Sequence, residues 1–267
     1  MIKSYWHTGD GNNFGDILGP TILHNLTGQK VAPSLDEGSI ISIGSVVNLN
    51  YPRSVKFWGS GIISQEVKLF SPEKHEYLAV RGPKTRERIL SAGIECPETY
   101  GDPALLMPLM FDKEQFLQDD KNKIGLLPHW VDANIFSDQE QEFPDSKLID
   151  IRSDADSVIR EVLNSEIVIT STLHGLILCE SYGVPCVYVK VGEKVMGGTF
   201  KYEDYFNSTD RDLYHLDYTN KEMNLKEIID YQKTIPDMEI DLVPLLKAFP
   251  YDIRNNKILD YIEKNSL

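Results

Sequence analysis

The feature that most constrains the fold is a repeated alternation of apolar runs with segments of helical spacing. Six runs have the length of strands, and most are continuously hydrophobic, as strands covered on both faces are. They occupy residues 39–47, 54–61, 76–83, 123–130, 165–172 and 184–191. Between them lie four segments with helical periodicity, at 16–28, 83–93, 154–166 and 173–183. This order of elements predicts an α/β protein with parallel sheets.

The helix predicted at 154–166 illustrates the pattern. Ala155, Val158, Ile159 and Val162 fall on one face of the helix. Asp154 stands just before them, where its side chain can cap the first turn. We therefore expect one apolar face to pack on a sheet.

The alternation is interrupted by a polar, charge-rich stretch, "DKEQFLQDDKNK", at 112–123. We interpret this stretch as the link between two α/β lobes, with the first at 1–118 and the second at 119–222. The remaining residues, 223–267, contain "NLKEIIDYQKTI" and "NKILDYIEKNSL". Their spacing predicts helices that pack on a lobe or cross back to the first one.

Composition restricts the classes of partner. The chain has 267 residues, of which 41% are hydrophobic, and can bury a full core. Its formal net charge of −14 repels phosphates, so nucleic acid is not an expected partner. A small anionic ligand is compatible with this charge, because a few local donors reverse the potential inside a cleft.

The expected compartment is the cytoplasm. No apolar run approaches the ~20 residues of a membrane span, and the start "MIKSYWHTGDG" lacks the apolar region of a secretory signal. Cys96, Cys179 and Cys186 are an odd number of cysteines without metal-ligand spacing. We therefore expect buried thiols, with neither disulfides nor a zinc site.

Polar turns follow several of the predicted strands. In open α/β sheets ligands gather at the carboxyl ends of strands, where turns present backbone N–H groups and helix dipoles. If the two lobes face each other, these turns line one cleft. The turns are "HTGDGNNFGD" at 7–16, "WGSG" at 58–61, "VRGP" at 80–83 and "STLHG" at 171–175.

Taken singly, each of these turns has a structural explanation. Asp16 could be an N-cap, Arg81 could form a surface ion pair, and His174 could support its turn through a hydrogen bond. The glycines at 59 and 61 match neither the dinucleotide-binding nor the Walker spacing. The individual turns therefore leave both explanations open.

The turns together resemble a known family. The segments "NNFGDILGP", "FWGSGI", "VRGPKTRERIL", "YGDPALLMP", "IGLLPHWVD", "ITSTLHGLILCESYGVPCVYV" and "GGTFKYEDYF" occur in the order and spacing of the polysaccharide pyruvyl transferases. The resemblance covers residues from about 5 to 208. It implies two Rossmann-like lobes, similar to the glycosyltransferase-B fold, and a reaction without a metal or a cofactor. That reaction moves the enolpyruvyl group of phosphoenolpyruvate onto sugar hydroxyls of a surface polysaccharide or its lipid-linked precursor, giving a pyruvate ketal and phosphate.

This chemistry assigns expected roles to the turn residues. The donor carries a phosphate and a carboxylate, so it needs cations, N–H donors and a helix N-terminus. His174 is the expected general acid, and Asp16 is expected to orient or deprotonate the acceptor hydroxyl. The expected donor-binding residues are Arg81, Gly82, Ser171, Thr172, Gly175 and Lys201. Further expected cleft residues are Asn13, Gly15, Gly59, Ser60, Gly101, Asp102 and His129. A lipid-linked acceptor would bring the protein to a membrane surface.

One position departs from the family pattern. Many relatives have an arginine two positions before the histidine, where this chain has Thr172. A hydroxyl does not replace a guanidinium as a bidentate anion clamp. We therefore expect Arg81, supported by Lys201 and the helix N-terminus, to be the main contact of the donor.

Two other functions fit the same sequence. A nucleotide-sugar glycosyltransferase can share the two-lobed fold, and Glu180 could then contact a ribose. A non-catalytic carbohydrate-binding component of an assembly complex is the second alternative, with Trp58 and Trp130 beside the predicted cleft. Release of phosphate from phosphoenolpyruvate, compared with release of nucleotide from sugar nucleotides, separates these functions.

Overall fold

The computed structural model describes residues 1–7, 13–118 and 122–266. Its first sheet is parallel throughout and has the order β2-β1-β3-β4-β5 in the described residues. The strands are β1 (Ile2–Ser4), β2 (Val31–Pro33), β3 (Ser39–Ile41), β4 (Val55–Trp58) and β5 (Glu76–Ala79). The helices of this lobe are α1 (Phe14–Thr27), α2 (Pro83–Ser91) and α3 (Met107–Met110).

The second sheet is also parallel, with the order β10-β9-β8-β6-β7. Its strands are β6 (Asn122–Leu127), β7 (Ser146–Leu148), β8 (Ser165–Thr170), β9 (Cys186–Lys190) and β10 (Leu216–Asp217). Its helices are α4 (Ala133–Glu142), α5 (Ala155–Leu163), α6 (Leu173–Tyr182) and α7 (Phe200–Ser208). The prediction of an α/β protein with two Rossmann-like lobes and parallel sheets is confirmed.

The predicted strands are shorter than the apolar runs that indicated them. The run at 39–47 leaves the sheet after Ile41, and Gly44 adopts a φ of 97° in the turn that follows. The run at 54–61 ends as a strand at Trp58, because Gly59 has a φ of 90°, a conformation that favours glycine. The apolar pattern thus continues into buried turns at the carboxyl ends of the strands.

The helix predicted at 154–166 is α5, and it is built as expected. Val158, Ile159 and Val162 are buried, and Ala155 packs against the same core. The side chain of Asp154 accepts a hydrogen bond from the backbone N–H of Ser157 at 2.9 Å, which confirms the predicted cap. The helix therefore presents one apolar face to the core.

The link at 112–123 is only partly described, since residues 119–121 lie outside the described ranges. Its described part is attached to the second lobe by Asn164, whose side chain donates to the carbonyl of Phe116 at 2.8 Å and accepts from the N–H of Gln118 at 2.7 Å. The predicted lobe boundaries at 118/119 and 222/223 stay predictions.

The last helices are α8 (Leu225–Gln232), α9 (Val243–Lys247) and α10 (Asn256–Asn265). Ile228 of α8 packs in the core of the second lobe. By contrast, the carbonyl of Leu245 in α9 accepts a hydrogen bond from Trp58 Nε1 at 2.8 Å, and the N–H of Arg254 donates to the carbonyl of Leu26 at 2.7 Å. After α8 the chain therefore crosses back to the first lobe.

The two lobes share one apolar core. It joins Phe14 and Leu18 of α1 to Val158 of α5 and Ile177 of α6. The N–H of Phe14 also donates to the carbonyl of Ile151 at 2.9 Å, so α1 begins in contact with the second lobe. The carboxyl ends of strands from both sheets consequently meet near the start of α1. Within the described ranges, no helix combines the length and hydropathy needed to cross a bilayer.

Candidate active site

The start of α1 brings a glycine and a carboxylate to the contact between the lobes. Asn13, not Asp16, caps this helix, and its side chain accepts from the N–H of Gly15 at 3.1 Å. Asp16 lies in the first turn, where burial raises the pKa of its carboxyl group although the charges of His174 and His7 act in the opposite direction. The structural alternative of an Asp16 cap is therefore wrong. The predicted turn at 7–16 lies outside the described ranges at residues 8–12.

The turn after β8 is held by hydroxyl groups. Thr170 Oγ1 donates to the carbonyl of Leu127 at 2.7 Å and accepts from the N–H of Thr172 at 3.1 Å. Thr172 occupies the N-cap position of α6, but its side chain makes no capping hydrogen bond. These bonds fix the direction in which α6 leaves the sheet, and the first-turn N–H groups of α6 receive no side-chain cap.

Ser171 also contacts a neighbouring strand end instead of capping α6. Its hydroxyl donates to Asp132 Oδ2 at 2.8 Å and accepts from the N–H of His129 at 2.9 Å. Neither Ser171 nor Thr172 therefore caps α6 through its side chain. Ser171 instead joins the carboxyl ends of β6 and β8.

His174 lies in the first turn of α6 and faces the first lobe. Its side chain is 14% exposed, and Nε2 lies 3.7 Å from Asp102 Oδ2. A Cβ added to Gly15 would lie 1.9 Å from His174 Nδ1, so the imidazole rests directly on the backbone of α1. The structure therefore brings together His174, Gly15, Asp16 and Asp102, which were predicted separately from four positions in the chain.

Asp102 is held by the turn that precedes α3. Gly101 has a φ of 135°, which a side chain would strain, and Asp102 is 1% exposed. Asp102 Oδ1 accepts from the N–H of Ala104 at 3.0 Å, while Oδ2 is buried and finds no hydrogen-bond partner among residues 1–7, 13–118 and 122–266. Oδ1 of Asp102 therefore holds the turn, and Oδ2 faces the imidazole of His174.

A second group of ionisable side chains lies beside the β8 turn. Lys201 of α7 is 9% exposed, and burial, together with the charge of Arg81, lowers the pKa of its ammonium group to about 8. Burial and the charges of Lys201 and His174 lower the pKa of His129 to about 4. Burial raises the pKa of Asp132, against the effect of Lys194 and Lys201. Lys201 and His129 are thus buried basic groups that lie close to other cations, and a nearby negative charge would favour their protonated forms.

Arg81 has a different environment from the one expected of a donor clamp. Its side chain is 1% exposed, and its Nε donates to Asp204 Oδ2 of α7 at 3.0 Å. Its Nη1 donates to Ser45 Oγ at 2.7 Å and its Nη2 to the carbonyl of Ile62 at 2.8 Å. The buried guanidinium is therefore engaged by the protein itself and braces α7 against the first lobe. Direct contact with a donor is not supported by this geometry, and neither is the alternative of a surface ion pair.

Several other predicted residues also support this packing. A Cβ on Gly82 would lie 1.8 Å from the carbonyl oxygen of Asp204, so only glycine lets α7 approach the start of α2 this closely. Gly175 faces Leu127 and Thr170 of the second sheet. Gly59 and Ser60 are buried at the end of β4, where the Ser60 carbonyl accepts from the N–H of Arg81 at 3.0 Å. These four residues support the packing of the elements that form the site.

Three residues of the site were not given a role from the sequence. Asp132 follows β6 in the quoted segment "IGLLPHWVD", and Asp204 lies in "GGTFKYEDYF". Lys194 is an exposed cation whose charge reaches Asp132. A carboxylate in the segment between a buried strand and the next helix was a usable signal for Asp132, whereas nothing local distinguishes Asp204 from a solvated helix residue.

The two tryptophans differ in their exposure. Trp58 is buried and packs on Phe249, so it is not available to a carbohydrate. Trp130 is 54% exposed and lies beside the imidazole of His129, with a ring-centroid distance of 5.9 Å. Within the described residues, no group of three His, Cys, Asp or Glu side chains is placed to hold a metal ion.

Comparison with known proteins identifies the family. Residues 13–193 match the family described as "Polysaccharide pyruvyl transferase". The chain is 27% identical over 215 residues to the "Succinoglycan biosynthesis protein ExoV" of Rhizobium meliloti (strain 1021), covering 77% of this chain and 64% of that protein. It is 32% identical over 122 residues to "Uncharacterized protein L143" of Acanthamoeba polyphaga mimivirus, covering 43% of this chain and 42% of that protein. The chain thus spans less than two thirds of the length of either relative.

A solved structure is also similar. It is the functionally uncharacterised protein KP1_0663 from Klebsiella pneumoniae subsp. pneumoniae NTUH-K2044, which is 14% identical with a TM-score of 0.48. The match covers 82% of this chain and 92% of that one. The family assignment depends on the sequence match, which extends over most of both lobes, and the chain belongs to the polysaccharide pyruvyl transferase family.

Proposed function

We propose that the protein transfers the pyruvyl group of phosphoenolpyruvate to two hydroxyls of a sugar in polysaccharide biosynthesis. The observation that carries the proposal is the position of His174 between two carboxylates of the first lobe, next to the basic group formed by Lys201 and His129. A proton donor and an anion site are thus adjacent. The proposed reaction needs both of them in contact with the same small molecule.

The proposed donor site is the start of α6 together with Lys201. In the described part of the chain, the Lys201 ammonium forms no ion pair, and the first-turn N–H groups of α6 lack a side-chain cap. Both favour a bound anion. A phosphate there would raise the pKa of Lys201 back towards its ordinary value, because the ammonium would regain an opposite charge. Arg81 contributes indirectly, by fixing α7, which carries Lys201.

The proposed chemistry balances as follows. His174 protonates C3 of the enol, a sugar hydroxyl oxygen bonds to C2, and the C2–O bond to phosphate breaks. A second hydroxyl of the same sugar then bonds to C2 and closes the ketal. Of the two hydroxyl protons released, one replaces the proton given to C3, and the other leaves with phosphate. Asp16 is the proposed base for the acceptor, because burial raises the pKa of its carboxyl group.

A lipid-linked acceptor would bring the protein to a membrane surface. The three free cysteines are buried, and free thiols fit a reducing compartment such as the cytoplasm.

The glycosyltransferase alternative receives less support from the structure. Glu180, the carboxylate that it would direct at a ribose, pairs with Arg211 at 2.8 Å and accepts from the hydroxyl of Tyr205 at 2.6 Å.

The test compares donors and one variant. With a chelator present, millimolar phosphoenolpyruvate should raise the melting temperature more than phosphate does, and a sugar nucleotide should not. His174→Gln should retain the fold and most of the donor affinity but lose about 10²-fold or more of the rate of phosphate release. A stabilising sugar nucleotide that also releases its nucleotide would establish the glycosyltransferase instead. Binding of a glycan without either release would establish the non-catalytic function.

A further inference from the structure

Within the described residues, two buried polar atoms face each other across the lobes without hydrogen-bond partners. They are Asp102 Oδ2 and His174 Nε2, which lie 3.7 Å apart. A hydrogen bond of this type has a length of about 2.7–3.2 Å, so the described geometry falls just short of one. An unpaired buried polar group destabilises the folded state, and native proteins contain few such groups. The pair therefore needs an explanation.

Neither side chain can turn away to find another partner. Asp102 is fixed through Oδ1, which caps the N–H of Ala104 at 3.0 Å, and it is almost fully buried. The imidazole of His174 cannot rotate freely, because the ring rests on the backbone of Gly15, where an added Cβ would lie 1.9 Å from Nδ1, 2.5 Å from Cε1 and 2.6 Å from Cγ. The Nε2 edge thus points to Asp102, and the Nδ1 edge lies towards the start of α1.

We propose that Asp102 is the positioning residue of His174, and that His174 exchanges its catalytic proton at Nδ1. Approach of the lobes by about 0.8 Å, from 3.7 Å to an ordinary hydrogen-bond length, lets Nε2–H donate to Oδ2. This bond selects the Nε2–H tautomer and stabilises the imidazolium ion. Hydrogen bonds of catalytic groups are often long before the substrate binds and shorten in the complex. The inference rests on the proposed function only for the role of His174.

The arrangement couples donor binding to proton transfer. Asp102 belongs to the first lobe and His174 to the second, so their hydrogen bond requires both lobes in contact. The other ionisable groups of the described residues that influence His174 are Asp16 of α1 and His129 after β6. Asp16 lies one residue from the glycine that contacts Nδ1, and we assign it to the acceptor. In the part of the chain that the structure describes, only Asp102 lies at ion-pair distance from Nε2.

The direct test is the protonation of the two ring nitrogens. In protein labelled with ¹⁵N-histidine, the His174 resonances are identified by their loss in His174→Gln. We expect Nε2 to carry the proton in the neutral wild-type ring, and the Nε2 proton to move downfield with saturating phosphoenolpyruvate or inorganic phosphate. Asp102→Asn preserves the Oδ1 cap and places an NH₂ group near Nε2, so it should shift the proton to Nδ1.

The kinetic test uses the same variant. Asp102→Asn should lower kcat about 10²-fold or more, leave KM for phosphoenolpyruvate and the melting temperature nearly unchanged, and have little further effect in the His174→Gln background. A wild-type ring protonated at Nδ1, or a fully additive loss in the double variant, would overturn the proposal. The wild-type spectrum decides the matter even if Asp102→Asn does not fold. A tautomer shift in a protein that never releases phosphate would contradict the proposed function and leave the pairing intact.

Discussion

Replacing Gly15 with alanine should displace the imidazole of His174 and slow the reaction. An added Cβ would lie 1.9 Å from Nδ1, 2.5 Å from Cε1 and 2.6 Å from Cγ of His174. Ordinary contacts between such atoms are about 3.5 Å, so the ring or the lobe that carries it must retreat by about 1.6 Å. Misplacement of a reacting group by about 1 Å can cost on the order of 10²-fold in rate. We therefore expect a loss of kcat of at least that size.

The same substitution should affect stability much less. Gly15 lies in the first turn of α1 with ordinary helical geometry, where alanine is favoured over glycine by up to about 1 kcal/mol. This gain offsets part of the cost of displacing His174, whose side chain is 14% exposed. The expected result is a folded variant with a large kinetic defect.

The assay compares Gly15→Ala with Gly19→Ala, a matched change one turn further along α1. A Cβ on Gly19 would lie 3.1 Å from Ser42 Oγ, which requires a shift of only a few tenths of an ångström. Phosphate release at saturating phosphoenolpyruvate should be nearly normal in Gly19→Ala, and urea unfolding should show both variants folded. A folded Gly15→Ala variant with a normal rate would refute the importance of the imidazole position.

Two further predictions concern buried cations. The pKa of Lys201 is 10.5 in an unfolded chain and about 8 in the folded protein. Between these two pH values the unfolded state binds more protons than the folded state. The free energy of unfolding should therefore rise with pH in this range. Lys201→Met should remove that rise and stabilise the protein at pH 7 by about 1–3 kcal/mol in urea unfolding. It should also weaken phosphoenolpyruvate binding. An unchanged pH dependence of stability would contradict the lowered pKa of Lys201 in the folded protein. Arg81→Lys should cost on the order of 2–4 kcal/mol of stability, since it loses contacts in a buried ion pair. The exposed control Arg152→Lys should cost no more than about 0.5 kcal/mol, and equal effects of the two changes would show that Arg81 is not a brace.

The sequence predicts those parts of the fold whose signal is local and long. α5 and α6 were predicted within a few residues, because their caps and apolar spacing are contained in the segment itself. The strands β1, β2 and β7 have three residues each, too few for a periodic pattern, and they were missed. Their place in the sheets depends on pairing with distant strands.

The sequence predicts which residues form the site better than it predicts the role of each residue. His174 and Gly15 were named because they lie in turns that follow a strand or lead into a helix, and Asp102 because it lies in a segment that carries the family resemblance. Arg81 was given the wrong environment, because its partner Asp204 is 123 residues away and the sequence does not show that α7 packs there. Pairings of this kind are set by tertiary packing, which local chemistry does not reveal.

The return of the last helices to the first lobe has a consequence for the order of events during synthesis. The hydrogen-bond acceptor of Trp58 lies 187 residues further along the chain. The carbonyl of Asn25 accepts from Asn255, which is 230 residues away. The second sheet needs no such late segment, since its strands all lie between 122 and 217. The first lobe therefore leaves the ribosome before the second lobe, but its fold is completed later. Until α9 and α10 arrive, the nascent first lobe exposes apolar surface that a chaperone could bind.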